Sequence, residues 1–249
     1  MNLPYLVFES ALLVVAAAAG AVAAVSGFGI GSLLTPMIAL HAGTRTAVAA
    51  VSVPHLVGTA IRFWRLRSHV DRKLLWSFGL TSAAGGLAGA LAHARASNPA
   101  LTIVFGALLV FAGTAQLTGH AQRWRFHGAS AWVAGAASGL FGGLVGNQGG
   151  IRSAALLGFD LTKTRFVATA TAIALLVDAA RMPVYLVVDR VEVAAIWPLV
   201  LIATAGVVAG TLAGERVLVR VPERRFRQVV GALILVLGVA TLVGELVSW

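Results

Sequence analysis

The chain contains no cysteine, which excludes disulfides, thiolate nucleophiles and cysteine-ligated metals. Charge is scarce too. Only 11% of the 249 residues are charged, against about a quarter in soluble domains, and 9 are acidic. Clustered carboxylates for metal catalysis are missing, as are the HExxH, Walker and Gly-x-Ser-x-Gly patterns, so no enzyme activity and no cofactor is expected. Lysine occurs only at Lys73 and Lys163. The opening M-N-L-P-Y-L-V-F-E lacks the positive segment of a signal peptide, so no cleaved leader is expected.

What fills the chain is apolar sequence. Hydrophobic residues make up 59% of it, in recurrent runs of roughly 18 to 22 residues, enough to cross about 30 Å of hydrocarbon at 1.5 Å per residue. This describes a polytopic α-helical membrane protein. The net charge of +10 does not signal nucleic acid, because the cations sit between apolar spans without an aromatic stripe. They read as topology determinants. Abundant alanine, valine and arginine point to a GC-rich bacterial genome.

The chain is one module written twice, repeat one over 1–120 and repeat two over 126–249, in a single transmembrane domain. Shifted by roughly 120 residues, Gly20, Gly27 and Gly31 fall on Gly139, Gly146 and Gly150, and Thr44-Arg45 on Thr164-Arg165. A-A-G-G-L-A-G-A-L-A from Ala83 matches T-A-G-V-V-A-G-T-L-A from Thr204. The last helices agree as well, from Gly106 and from Gly231. Each copy opens with an apolar run broken by glycines, Ser26 to Pro36 and Leu144 to Ala154. Duplicated halves interrupted at matching places mark membrane transporters and point to the binding site.

Spans are expected at 5–25, 45–63, 72–93 and 99–118, and at 129–146, 165–187, 191–213 and 225–247, with short limbs at 30–41 and 150–160. Pro99 and Pro222 suit helix starts. Trp64, Trp76, Trp124, Trp197 and Trp249 lie near span ends, as interfacial tryptophans do. Arginine positions decide how the breaks are counted. If each break is a single crossing, the 19 cations divide almost evenly between the two sides. If each is a re-entrant hairpin, five face fourteen, the bias that the positive-inside rule expects. That count places Arg62 among the loop cations of the rich side and Arg181 on the poor side. It implies two inverted repeats, each a glycine-broken hairpin plus three transmembrane helices, with both chain ends outside.

Several residues carry candidate chemistry. Backbone at Gly29, Gly31 and Ser32, and at Gly149 and Gly150, would open half-helices whose N–H groups favour an anion. The bland reading is close helix packing, which is the preferred one for Gly85, Gly89, Gly206 and Gly210. Asn147, Gln148 and Arg152 make the second break the more polar. A guanidinium there needs a counter-charge, a cavity or an anionic ligand, and its planar fork suits a sulfonate, sulfite or carboxylate. A snorkelling interfacial arginine is the alternative. Asp178 and Arg181, three apart, either form a structural pair or belong to a proton pathway. His55 reads as a proton carrier or as polar helix glue. Arg45 and Arg165 read as helix caps or anchors, and Ser52, Thr169 and Thr171 either line a cavity or, the preferred reading, bond their own backbones.

The duplicated G-x-G-x-G-x-x-x-x-P segment, Gly27-Phe28-Gly29-Ile30-Gly31 with Pro36, resembles the sulfite exporter TauE/SafE family of bacterial membrane proteins. The likeness covers nearly the whole chain. The second copy departs from the family pattern: Gly146-Asn147-Gln148-Gly149-Gly150 is followed by Ala155, not proline. The resemblance implies a transporter of small anions such as sulfite or organosulfonates, an exporter driven by a proton gradient across the inner membrane. An anion channel and a non-transporting membrane partner stay open as alternatives. The partners expected are a small anion, the bilayer and protons, with a homodimer left open.

Overall fold

The computed structural model describes residues 3–119, 128–146, 149–156, 159, 161–218 and 223–247. It is an all-helical bundle, and no strand occurs among the described residues. The first half of the chain supplies α1 (Leu3–Ser26), α2 (Ile30–Leu66), a 3-10 turn (Arg67–His69), α3 (Arg72–His93) and α4 (Asn98–Leu117). The second half supplies α5 (Ala129–Val145), α6 (Gly149–Leu156), α7 (Lys163–Val188), α8 (Arg190–Ala195), α9 (Trp197–Leu218) and α10 (Glu223–Val247). Six helices are long and apolar enough to cross a membrane. Exposed Val7, Val14, Leu40, Val133 and Val187 give the outside a face suited to lipid.

Both glycine segments interrupt the helices. α1 stops at Gly27, whose N–H still reaches Ala23 O at 2.9 Å, and α2 starts after Gly29 at φ 126, a conformation that only glycine adopts cheaply. Gly146, left-handed at φ 74, ends α5 before α6 begins. α2 is interrupted again at Gly43 (φ 75, ψ 158), so it consists of a short limb over 30–42 and a long one over 44–66. The short limb folds back along α1, stacking the His41 ring on Phe8 with centroids 5.5 Å apart. Leu156, the last residue of α6, packs in one cluster with Ala134 near the start of α5. Pro99 does sit in the first turn of α4, while Pro222, Trp124 and Trp249 lie outside the described residues. The span expected over 191–213 is two helices, because the chain turns at Ile196 before Trp197-Pro198 starts α9.

The halves pack reciprocally: α1 lies along α9, α5 along α3, and α4 along α10. α1 and α9 run in the same direction, with Leu13, Ala17 and Ala21 against Gly206, Gly210 and Gly214. α5 and α3 do likewise, Gly135, Gly139 and Gly143 lying against Phe78, Ser82 and Gly86. α2 and α7 run oppositely: Arg45, at the start of the long limb of α2, pairs with Asp189 just after α7, and Arg165, at the start of α7, pairs with Asp71, the residue that caps α3 beyond the far end of α2. α3 ends, and α9 begins, at the Asp189 end, since Arg45 also donates to Ala94 O. Small residues make these approaches possible. A Cβ on Gly210 would meet the Ala17 backbone, so Gly210→Val should lower the thermal midpoint in detergent by an amount matching about 1–3 kcal/mol of overpacking. The same substitution at Gly244, which has open space around it, should leave it unchanged.

Candidate functional site

The interrupted segments of the two halves touch. Gly31 packs on the carbonyl of Gly146, and Gly149 on the side chain of Phe28. Arg152, on α6, donates from Nη2 to Gly27 O at 3.2 Å, crossing from one break to the other. Helix ends at this depth expose N–H and C=O groups that lipid cannot satisfy, so protein groups must cover them. α7 covers the end of α5: Arg181 Nη1 donates to Gly142 O, and Tyr185 OH to Gly143 O. A cation at a helix C-terminus is favourable against the helix dipole.

Around this junction lies a buried charge cluster. His55, Thr59 and Arg62 occupy one face of α2 at spacings of four and seven, and Asp178, Arg181 and Tyr185 one face of α7. The two faces meet. His55 Nδ1 lies 2.7 Å from Asp178 Oδ2, while Arg181 Nε and Nη2 reach Asp178 Oδ1 at 3.0 and 2.8 Å. Asp178 is fully buried, and Arg181 and Arg152 are each 1% exposed. Arg62, 3% exposed, donates to Thr59 Oγ1 at 3.1 Å. The charges of Arg62, Arg152, Arg181 and Asp178 act on one another across this small volume.

Satisfaction within the cluster is uneven. Arg181 spends its guanidinium on Asp178 and on Gly142 O. Arg62 and Arg152 do not: Nε and Nη1 of each are buried with no hydrogen-bond partner among the described residues. The hydroxyls of Thr35, Ser153 and Thr171 share that condition. Buried cations left without partners are costly.

The residues singled out from the sequence divide accordingly. Arg152, Gly29, Gly31 and Gly149 lie at the junction, as does the backbone of Gly150 in α6. Ser32 is buried in the first turn of α2. His55 and Asp178 are in direct contact. Asn147 and Gln148 lie outside the described residues. Arg62 corrects the cation count: α2 runs on to Leu66, so Arg62 is one turn inside the helix and faces the core with His55. Arg181 likewise belongs to the interior and not to a flanking loop. Thr169 bonds away from its own backbone, accepting from Asp71 N at 2.9 Å, whereas Ser52 donates to its own helix at Ala49 O. The signal for Arg62 was present as its seven-residue spacing from His55.

A second polar group closes the Asp189 end. Asp189, 2% exposed, takes Arg45 Nε at 2.8 Å on Oδ1, and its Oδ2 lies 3.4 Å from His93 Nε2. The His93 ring packs edge-on against Tyr185, so polar side chains line α7 from its surface end to the core. Two surface cavities lie elsewhere. One of about 690 Å³ borders Trp76 and Trp132, and one of about 320 Å³ borders Gly43, Thr44 and Thr102. Neither is lined by the buried cations, which the bundle encloses.

The model of the sulfite exporter TauE/SafE family matches residues 12–241, nearly the whole chain. The chain belongs to that family. No curated protein and no solved structure matches it. Membership, with six helices able to span a bilayer, makes it a multi-pass membrane protein of a transporter family.

Proposed function

We propose that the chain is a secondary transporter that exports a small sulfur-containing or organic oxyanion, such as sulfite or an organosulfonate, across the bacterial inner membrane. The observation that carries this reading is the pair of buried guanidiniums, Arg62 and Arg152, left partly unpartnered where the two breaks meet. Oxyanions accept several N–H donors at once, and arginine suits them better than lysine does. The half-helix starts of α2 and α6 add partial positive charge, and Thr35 and Ser153 add hydroxyl donors.

The repeats are inverted in this reading, and the two hairpins are re-entrant. Its support is the opposite run of α1 and α5, α3 and α9, α4 and α10, and of α7 and the long limb of α2. Arg65, Arg67, Arg72, Lys73 and Arg165 gather at the Asp71 end, against Arg45, Arg95 and Arg190 at the Asp189 end. The Asp71 end is therefore cytoplasmic and the Asp189 end periplasmic. α1 begins and α10 ends on the periplasmic side. His55 and Asp178 carry the coupled proton, since a histidine on a buried carboxylate exchanges a proton with small changes in its surroundings.

Alternating access uses the two Arg–Asp pairs as gates. They join α7 to α2 at one end and to the start of α3 at the other, with the anion cluster between them. Arg165 is half exposed, and exposed pairs of this kind contribute only about 0–1 kcal/mol, so one can break in every cycle. The absence of native cysteine allows a single reporter, Ser153→Cys. Asp189→Asn should raise its labelling by an impermeant thiol reagent from the periplasmic side, and Asp71→Asn from the cytoplasmic side. Equal labelling from both sides in both variants would remove the gate assignment.

The direct test of the reading is flux in proteoliposomes. Sulfite or an organosulfonate should move faster when a proton gradient is imposed. Conduction indifferent to that gradient would identify a channel, and no flux of any small anion would leave a non-transporting partner protein.

A further inference from the structure

The charge count of the buried cluster narrows the ligand beyond its class, an inference that rests on the cluster being the proposed anion site. Among the described residues, three guanidiniums, on Arg62, Arg152 and Arg181, lie around one carboxylate, Asp178. Asp178 is already committed, with Oδ1 on Arg181 and Oδ2 on His55. Arg181 is committed in return, to Asp178 and to the Gly142 carbonyl. Two positive charges are therefore left over, on Arg62 and Arg152, each with Nε–H and the Nη1 hydrogens unpartnered among the described residues. Guanidinium does not shed its proton to escape this situation.

We propose that the site selects an oxyanion carrying two negative charges, and that Arg62 is the residue that sets this selectivity. A dianion such as sulfite or thiosulfate neutralises both leftover charges in a region from which water is excluded. A monoanion of the same shape leaves one buried cation uncompensated, and a zwitterion such as taurine leaves both. Shape supports the same choice. A compact ion whose oxygens point in three or four directions accepts from both guanidiniums, which approach from different helices, and leaves an oxygen for the Thr35 hydroxyl beside Gly146. Arg152 alone, tied to Gly27 O, would fix an anion without setting its charge. Arg62 supplies the second charge from α2, with the neutral Thr59 hydroxyl as its own partner among the described residues.

Titration calorimetry on the purified full chain in detergent, at mildly alkaline pH and constant ionic strength, tests this with ions of fixed charge. Sulfate and thiosulfate should bind about tenfold or more tightly than methanesulfonate, a monoanion of similar size. Arg62→Gln should erase that preference by removing one of the two charges, while Arg62→Lys should retain it. Methanesulfonate binding as tightly as sulfate to the unmodified chain would overturn the two-charge selectivity and leave the anion site standing. If none of these ions bound, the anion site itself would fall. The comparison of ligands on the unmodified chain needs no variant to fold.

Discussion

Arg152→Gln is expected to abolish most anion flux while leaving the chain as stable as before, or more so. The two effects have one cause. Arg152 is a buried cation whose one hydrogen bond among the described residues goes to Gly27 O, and it lies close enough to Arg62 for the two to repel. Glutamine, two bonds shorter, gives up the hydrogen bond to Gly27 O, but it removes both the buried charge and the repulsion. Transport should suffer because the ligand loses a charge-assisted partner. Removing one member of a buried, hydrogen-bonded charge pair costs about 2–5 kcal/mol, and the low end of that range is roughly a thirtyfold loss. Proteoliposome flux and a thermal melt on the same preparation check both halves. Loss of flux together with loss of fold would make Arg152 a structural residue. Arg72→Gln, on the exposed start of α3, is the matching control and should change neither.

Asp178→Asn should do the opposite to stability. Asp178 is the carboxylate to which Arg181 and His55 both turn, and it is fully buried. Its loss leaves Arg181 as a third buried cation without compensation, and breaking such a pair from one side costs about 3–5 kcal/mol. Arg181 and Tyr185 also cover the Gly142 and Gly143 carbonyls at the end of α5, so disturbing Arg181 loosens the second break. The melt should therefore fall by several degrees or lose its cooperativity, with flux falling too. An unchanged melt for Asp178→Asn would show that Arg181 finds another counter-charge. Opposite stability effects at Arg152 and Asp178 separate a charge kept for the ligand from one that, besides exchanging the proton, holds the bundle together, as the trade between stability and function leads one to expect.

Much of the fold was legible because lipid constrains a sequence heavily. Apolar runs of spanning length can only be helices, and the expected limits 72–93 and 30–41 lie close to α3 and to the short limb of α2. Glycine breaks show in sequence because a run of leucine and valine has no other reason to be interrupted. The Arg45–Asp189 and Arg165–Asp71 pairs were not legible, since their partners stand 144 and 94 positions apart. Arg62 was hidden differently. It begins the cationic stretch Arg62–Arg72, and only the extension of α2 to Leu66 turns it inward. The proposed site was half visible: Arg152 stood out beside a break, while the second buried cation looked like a topology signal. Asp178 and Arg181 were recognisable as a local pair by spacing, but their reach to His55 required the packing of α7 on α2.

Diffraction from the protein bound to selenite, at the selenium absorption edge, addresses the central claim most directly. The expected result is one anomalous peak per chain at the junction of the two breaks, within hydrogen-bonding distance of both the Arg62 and Arg152 guanidiniums. A map with selenium only at the surface cavities, or with an unbroken helix running through Gly27–Gly29, would contradict it.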